Sequence, residues 1–263
     1  MEDLDKIKQL CDLNDKFKAI EKESTTHVST PENHYLAVRL DGIGMSKKYL
    51  KDNMINKEFQ KIIRQAVKNT YQVLHRKSPT NAQQIFLAIV IVSDEVSFIL
   101  NTQGNYYDDK LFKIVTTIAS TLSSFFTKNG MHETPKKNIT GSFDGRPLIL
   151  KNIEEVNEYI AHRIAIYSRN SMAKAIRLKG IPEKEVYSQQ NKNNFDYYQT
   201  QFEQLNLNME SINAGSLVLT PNIKNDSELK KFKNKSLNKL ITFFSDSIIN
   251  FENWLQETNN EEK

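Results

Sequence analysis

The sequence predicts an α+β fold: a ferredoxin-like β-α-β-β-α-β core with a helical C-terminal extension. Three features carry this reading. Two apolar runs, Tyr35 to Leu40 and Ile85 to Val92, have the continuous character of fully buried strands. A third run, Val96 to Leu100, follows the second across only Ser93-Asp94-Glu95, the spacing of a hairpin. Two stretches with apolar residues at intervals of three and four separate these strands from one another and from a fourth, in the order of a split β-α-β unit.

Residues 4–24 read as a polar helix with Leu4, Ile7, Cys11, Phe17 and Ile20 on one stripe. Thr25 to Asn33, with Pro31, is a loop before the first strand. Helix periodicity returns over 56–76 through Phe59, Ile62, Ile63, Ala66, Val67 and Leu74, and Ser78-Pro79-Thr80-Asn81 breaks it. After the hairpin, 109–128 is helical, with Leu111, Ile114, Val115, Ile118, Leu122 and Phe125 apolar. Gly130 to Thr140 is a loop. Phe143 to Leu150 is a strand that Gly145 and Pro147 mark as short or at an edge. Ile153 to Leu178 is a long helix ended by Gly180-Ile181-Pro182. Beyond it lie short polar helices and loops to Asn213, a short strand at Leu217 to Leu219, and a C-terminal helix from Asp226 to Asn250 or further. Its stripe of Leu237, Leu240, Ile241, Phe244, Ile248, Phe251 and Trp254 would dock on the domain or on another subunit. The expected organisation is 1–34, an N-terminal helix and loop; 35–180, the mixed core; and 181–263, a mainly helical region.

At 263 residues the chain can bury one substantial core. Its net charge of +4 permits a nucleic-acid partner without requiring one. The single cysteine, Cys11, rules out an internal disulfide or a thiolate metal site within one chain. The charged N-terminus has no signal-peptide core, and no run reaches the ~18 apolar residues of a membrane span. A cytoplasmic protein with no membrane partner is expected. The five histidines lack zinc-ligand spacing. Tyr197, Tyr198 and Phe195 could stack on bases, although packing is the commoner use of such residues.

The informative positions are the strand ends. Tyr35 to Leu40 terminates in Asp41-Gly42, and Ile85 to Val92 in Ser93-Asp94-Glu95. A buried strand has no use for a carboxylate, so an acid at its end sits at a rim where charge arrives. Each motif alone would more often be an ordinary turn. Together, in a β-α-β-β order that can bring both ends to one sheet edge, they form paired carboxylates suited to hard divalent cations and phosphates. Nucleotidyl-transfer enzymes with a polymerase-palm core use that arrangement. Gly42-Ile43-Gly44 could add backbone N–H groups for phosphate oxygens.

Arg39-Leu40-Asp41-Gly42, then Ser93-Asp94-Glu95-Val96-Ser97-Phe98, then Phe143-Asp144-Gly145-Arg146 occur in an order and spacing that resembles the tRNA-His guanylyltransferase family. These enzymes extend RNA in the 3′-to-5′ direction. The resemblance implies that Asp41 and Asp94 share two Mg²⁺ ions, with the Gly42 carbonyl on one ion and Glu95 supporting the site. It implies that Asp41, Gly42, Ile43, Gly44, Met45 and Ser46, with Ser93, line a nucleoside triphosphate. Lys57 would lie near that triphosphate, and Lys110 and Lys113 would meet a second one or an activated 5′ end; solvated helix lysines are the competing reading. Arg163 and Asn170 would contact RNA. GTP, ATP and a tRNA or tRNA-like RNA are the implied partners, and a homotetramer the implied assembly. The chain departs from the family at Ser168-Arg169-Asn170-Ser171-Met172-Ala173-Lys174, where His-Ile-Asn-Asn-Leu-Tyr-Asn is usual. It therefore reads as a divergent member. A palm-fold nucleotidyltransferase or cyclase acting without RNA, and a non-catalytic RNA-binding module, are the alternatives.

Overall fold

The computed structural model describes residues 2–24, 29–54, 58–76, 86–101, 106–134, 137–207, 216–220 and 247–250. Helices α1 (Glu2–Cys11) and α2 (Asn14–Ser24) precede strand β1 (Tyr35–Gly42). Two short helices, α3 (Met45–Lys48) and α4 (Leu50–Met54), lead to the long α5 (Glu58–Arg76). The hairpin β2 (Phe86–Val92) and β3 (Glu95–Asn101) follows, then a 3₁₀ turn (Tyr106–Asp109) and α6 (Leu111–Glu133). Strand β4 (Phe143–Leu150) completes the core, and α7 (Ile153–Leu178), α8 (Glu183–Val186), α9 (Phe195–Gln204), β5 (Ser216–Thr220) and β6 (Ser247–Asn250) extend it.

The sheet runs β4-β1-β3-β2-β5-β6. Its first four strands are antiparallel in the order of the ferredoxin-like unit that the sequence predicts. β5 adds antiparallel to β2, and β6 parallel to β5. Both faces of the first four strands are covered. Leu36, Val38 and Leu40 of β1 join Val96, Phe98 and Leu100 of β3 against α5 and α6. Ala37, Val90, Val92, Ile99 and Leu148 pack on the other face against Val156, Tyr159, Ile160 and Ile164 of α7, with Ile7 and Phe17 from α1 and α2. Two covered faces account for strands that read as unbroken apolar runs instead of alternating ones.

Several boundaries differ from expectation. The single helix expected over 4–24 is two helices. Cys11 and Phe17 are six residues apart, an interval that places them on different sides of a continuous helix. The break between α1 and α2 lets both reach the α7 face, where each is buried. α6 runs five residues past 128 and contains Gly130. A Cβ there would lie 1.7 Å from the Ile139 carbonyl oxygen, so glycine lets the returning loop cross the last turn of the helix. Ser247 to Asn250, expected in a C-terminal helix, is a strand. Its β-branched Ile248-Ile249 pair suits the parallel ladder with β5. The rest of that expected helix lies outside the described residues. β4 is at the edge of the sheet but is a full eight residues long.

Candidate active site

The hairpin turn joining β2 to β3 brings the strand-end acids together. Antiparallel pairing sets Asp41 opposite Glu95 on one side and opposite Asp144 on the other. The Gly42 N–H donates to the Asp94 carbonyl at 2.9 Å, tying the end of β1 to the turn. A side chain at position 42 has no room, since its Cβ would lie 2.7 Å from the Met45 sulfur and 3.1 Å from the Asp94 carbonyl oxygen. Ser93 enters the turn in the left-handed region, with φ of 60°. Gly44 does the same at φ 68° to start α3, a conformation that favours glycine.

A cleft of about 350 Å³ opens at this edge. Asp41, Gly42, Gly44 and Ser46 line one side, the Ser93–Glu95 turn another, and Arg163, Asn170 and Lys174 of α7 a third. The three acids are treated differently. Glu95 is gripped by Arg163, whose Nε donates to Oε1 at 2.8 Å and whose second arm reaches Oε2. Asp94 accepts from Ser46 Oγ at 3.2 Å through Oδ1, and the same oxygen lies 3.7 Å from the Lys174 ammonium. Lys174 Nζ also donates to Ser93 Oγ at 3.0 Å. Burial pulls the Lys174 ammonium below its usual range, and Asp94 opposes that shift. Asp41 has no ion pair among the described residues. Burial, followed by the neighbouring Glu95, Asp94 and Asp144, pushes its carboxyl up from 3.8 to about 6.

This donor set fits Mg²⁺. Asp41, Asp94 and a Gly42 carbonyl offer hard oxygen donors, and crowding raises the proton affinity of Asp41 in a way that a bound cation would relieve. No group of three or more His, Cys, Asp or Glu side chains that could hold a metal occurs among the described residues. Mg²⁺ does not need one, because it commonly takes one or two carboxylates and completes its shell with water and phosphate oxygens.

The other expected residues are placed differently from one another. Ser46, Ser93 and Asn170 line the cleft. Ile43 is 65% exposed, with its N–H on the Ser142 carbonyl, and Met45 is buried beneath Gly42; neither lines the cleft. Lys57 lies outside the described residues. Lys110 and Lys113 lie at the opposite edge of the sheet, because α6 begins where β3 ends. A seven-residue strand separates them from the carboxylates, about 20 Å at roughly 3.3 Å per residue. Lys110 bridges to Ser29 just before β1, and the Lys113 ammonium sits 4.8 Å over the Tyr107 ring. Arg163, expected on RNA, has its guanidinium engaged by Glu95. Sequence reasoning missed Lys174. The available signal was a lysine flanked by Met172, Ala173, Ala175 and Ile176 on a helix that is buried nearly all round.

A second cleft, of about 660 Å³, shares Asn170 with the first. Lys8, Lys18, Arg169 and Lys192 line it against the acids Asp12 and Asp15, with Tyr187 and Phe195 alongside. The Arg169 Nε is buried without a hydrogen-bond partner.

A sequence profile of the tRNA-His guanylyltransferases matches residues 14–151, more than half of the chain. The chain belongs to the tRNA-His guanylyltransferase family. A tRNA(His) guanylyltransferase of Neurospora crassa is 26% identical over 161 residues, which cover 57% of this chain and 50% of the relative. The chain thus spans about half the length of that relative. Among solved structures, the Saccharomyces cerevisiae tRNA(His) guanylyltransferase matches with a TM-score of 0.59 at 18% identity, over 78% of this chain and 95% of the other. A bacterial tRNA(His) guanylyltransferase-like protein in complex with ATP matches with a TM-score of 0.55 at 20% identity, over 74% and 80%. These structures share the fold. The profile match contains Asp41, Asp94 and Glu95 and ends before α7, so Arg163, Asn170 and Lys174 lie beyond it.

Proposed function

We propose that the first cleft is a Mg²⁺-dependent nucleotidyl-transfer site that adds a nucleotide to the 5′ end of a tRNA or tRNA-like RNA in the 3′-to-5′ direction. The observation that carries this reading is the meeting of Asp41 and Asp94 at one sheet edge, beside a polar cleft floored by the Ser93–Glu95 turn. Family membership supports guanylyl transfer to tRNA, and the ATP named with the bacterial relative supports activation of the RNA 5′ phosphate by ATP. GTP is the proposed incoming nucleotide.

The 3′-hydroxyl oxygen of that nucleotide attacks the activated 5′ phosphorus. An O–P bond forms, the bond from that phosphorus to the adenylate installed by ATP breaks and releases AMP, and the hydroxyl proton passes to solvent. Two Mg²⁺ ions at Asp41 and Asp94, one also on the Gly42 carbonyl, would lower the hydroxyl pKa and neutralise charge on the leaving phosphate. The chain's own residues supply position. Arg163 holds Glu95 still, the Gly42 N–H fixes the turn, and Ser46 orients the Asp94 carboxylate. The cationic second cleft, which meets the first at Asn170, supports RNA as the acceptor: phosphates would pair with its lysines and an unstacked base with Phe195 or Tyr187. A homotetramer is the proposed assembly, checked by light scattering.

The test is to incubate the protein with 5′-monophosphorylated tRNA lacking its first nucleotide, Mg²⁺, ATP and labelled GTP, beside an Asp94→Ala control. Label at the RNA 5′ end that vanishes in the variant is expected. RNA-independent turnover of the nucleotides would move the reading to a small-molecule nucleotidyltransferase. RNA binding without Mg²⁺-dependent nucleotide binding would leave a non-catalytic module.

A further inference from the structure

Lys174 stands where the proposed metal chemistry leaves least room for a cation. It is 6% exposed on α7, and a lysine that deep persists when paired. Its partners are Ser93 Oγ at 3.0 Å and Asp94 Oδ1 at 3.7 Å, both on the turn that floors the cleft. The formal charges of the cleft then divide simply. Arg163 answers Glu95, Lys174 is within ion-pair distance of Asp94, and Asp41 has no ion pair among the described residues, Lys174 and Arg39 acting on it only from farther away. One unbalanced carboxylate attracts one divalent ion. A second, seated on Asp94, would face an ammonium already within ion-pair distance of the same carboxylate.

A triphosphate changes that balance. Its oxygens would give the ammonium a new partner of higher charge, and Ser46, on the wall it shares with Gly44, hydrogen-bonds the same Asp94 oxygen that Lys174 approaches. We propose that Lys174 is a built-in cation of this site: it holds Asp94 in the nucleotide-free protein, limiting the free cleft to one divalent ion, and turns to the nucleotide phosphates as the second ion is admitted. This rests on the reading of Asp41 and Asp94 as metal ligands. Lys174 is then a positioning residue that couples metal occupancy to nucleotide binding.

The experiment counts Mn²⁺ bound to the full chain by the electron paramagnetic resonance signal of the free ion. It is run with and without a non-hydrolysable GTP analogue, for the wild type, Lys174→Met and Lys174→Arg. The wild type is expected to bind one Mn²⁺ alone and two with the analogue. Lys174→Met, of similar length but uncharged, should bind two without nucleotide and lose about tenfold or more in affinity for the triphosphate analogue, while affinity for guanosine stays within about twofold. Lys174→Arg keeps the charge and should keep the one-then-two pattern. Two Mn²⁺ on the nucleotide-free wild type would overturn the proposal while leaving the metal reading intact. So would a Lys174→Met variant that loads like the wild type. No Mn²⁺ under any condition would overturn the metal reading itself. The wild-type count does not depend on the Met variant folding.

Discussion

Replacing Arg163 by Met should be among the most costly substitutions near the cleft, and the structure sets the scale. The guanidinium and the Glu95 carboxylate are only 12% and 10% exposed and share two hydrogen bonds. Losing one member of such a pair leaves a desolvated, uncompensated charge, which costs about 3–5 kcal/mol. For a chain of this size that lowers the melting temperature by about 6–20 °C. Urea unfolding followed by circular dichroism gives the free energy, with the slope m checked for constancy. Glu95→Gln should also destabilise, by stranding the arginine. The double variant Glu95→Gln/Arg163→Met should cost at least about 2 kcal/mol less than the sum of the singles, because no unpaired charge remains. Singles that each cost under about 1 kcal/mol, the worth of an exposed pair, would refute the reasoning. So would a double variant equal to the sum.

Stability should fall in acid because of His162. Its ring is buried against Phe17, with Nδ1 donating to the Leu10 carbonyl at 2.6 Å. Burial, with Arg163, Arg169 and Arg39 nearby, lowers its pKa from 6.5 to about 4. The unfolded chain therefore binds the proton more readily, and stability present above pH 6.5 drains away as pH falls towards 4. The loss is about 3 kcal/mol at roughly 1.4 kcal/mol per pH unit. A His162→Gln variant should show a flatter unfolding profile across that window; an unchanged slope would count against the assignment. In the second cleft, Lys18→Glu/Lys192→Glu alters two exposed residues. It should weaken RNA binding about tenfold and reduce the log–log salt slope by about 1 to 2, with Mn²⁺ and nucleotide binding unaltered. Fluorescence anisotropy at several salt concentrations reads both effects.

The core was legible where burial is symmetrical. Strands covered on both faces read as continuous apolar runs, so an acid at either end of them stood out; that is how Asp41 and Asp94 were found. α7 was equally plain, since its expected bounds, Ile153 to Leu178 with the stop at Gly180, are those of the structure. What failed to show were effects of close approach and of direction. Nothing local marks Gly130 as a helical residue, since its reason lies in the crossing of Ile139. Lys110 and Lys113 fell on a good helix, but the end of the sheet to which that helix belongs follows from strand order and not from spacing. Lys174 was hidden by the ordinary expectation that helix lysines face water. The break between α1 and α2 was written in the six-residue interval from Cys11 to Phe17, a phase error within an otherwise regular stripe.

Pro147 bears on how copies of this chain can meet. The Ile43 N–H donates to the Ser142 carbonyl at 2.9 Å, and the β1–β4 register is regular, so alternation along the ladder turns the Pro147 nitrogen away from β1. That is the open rim of the sheet, and a proline offers an arriving strand no hydrogen there. Flanked by the charged Arg146 and Asp144, this rim resists edge-to-edge growth between molecules. The strand that carries Asp144 beside Asp41 is thereby protected, at this rim of the sheet, from becoming a seed for aggregation.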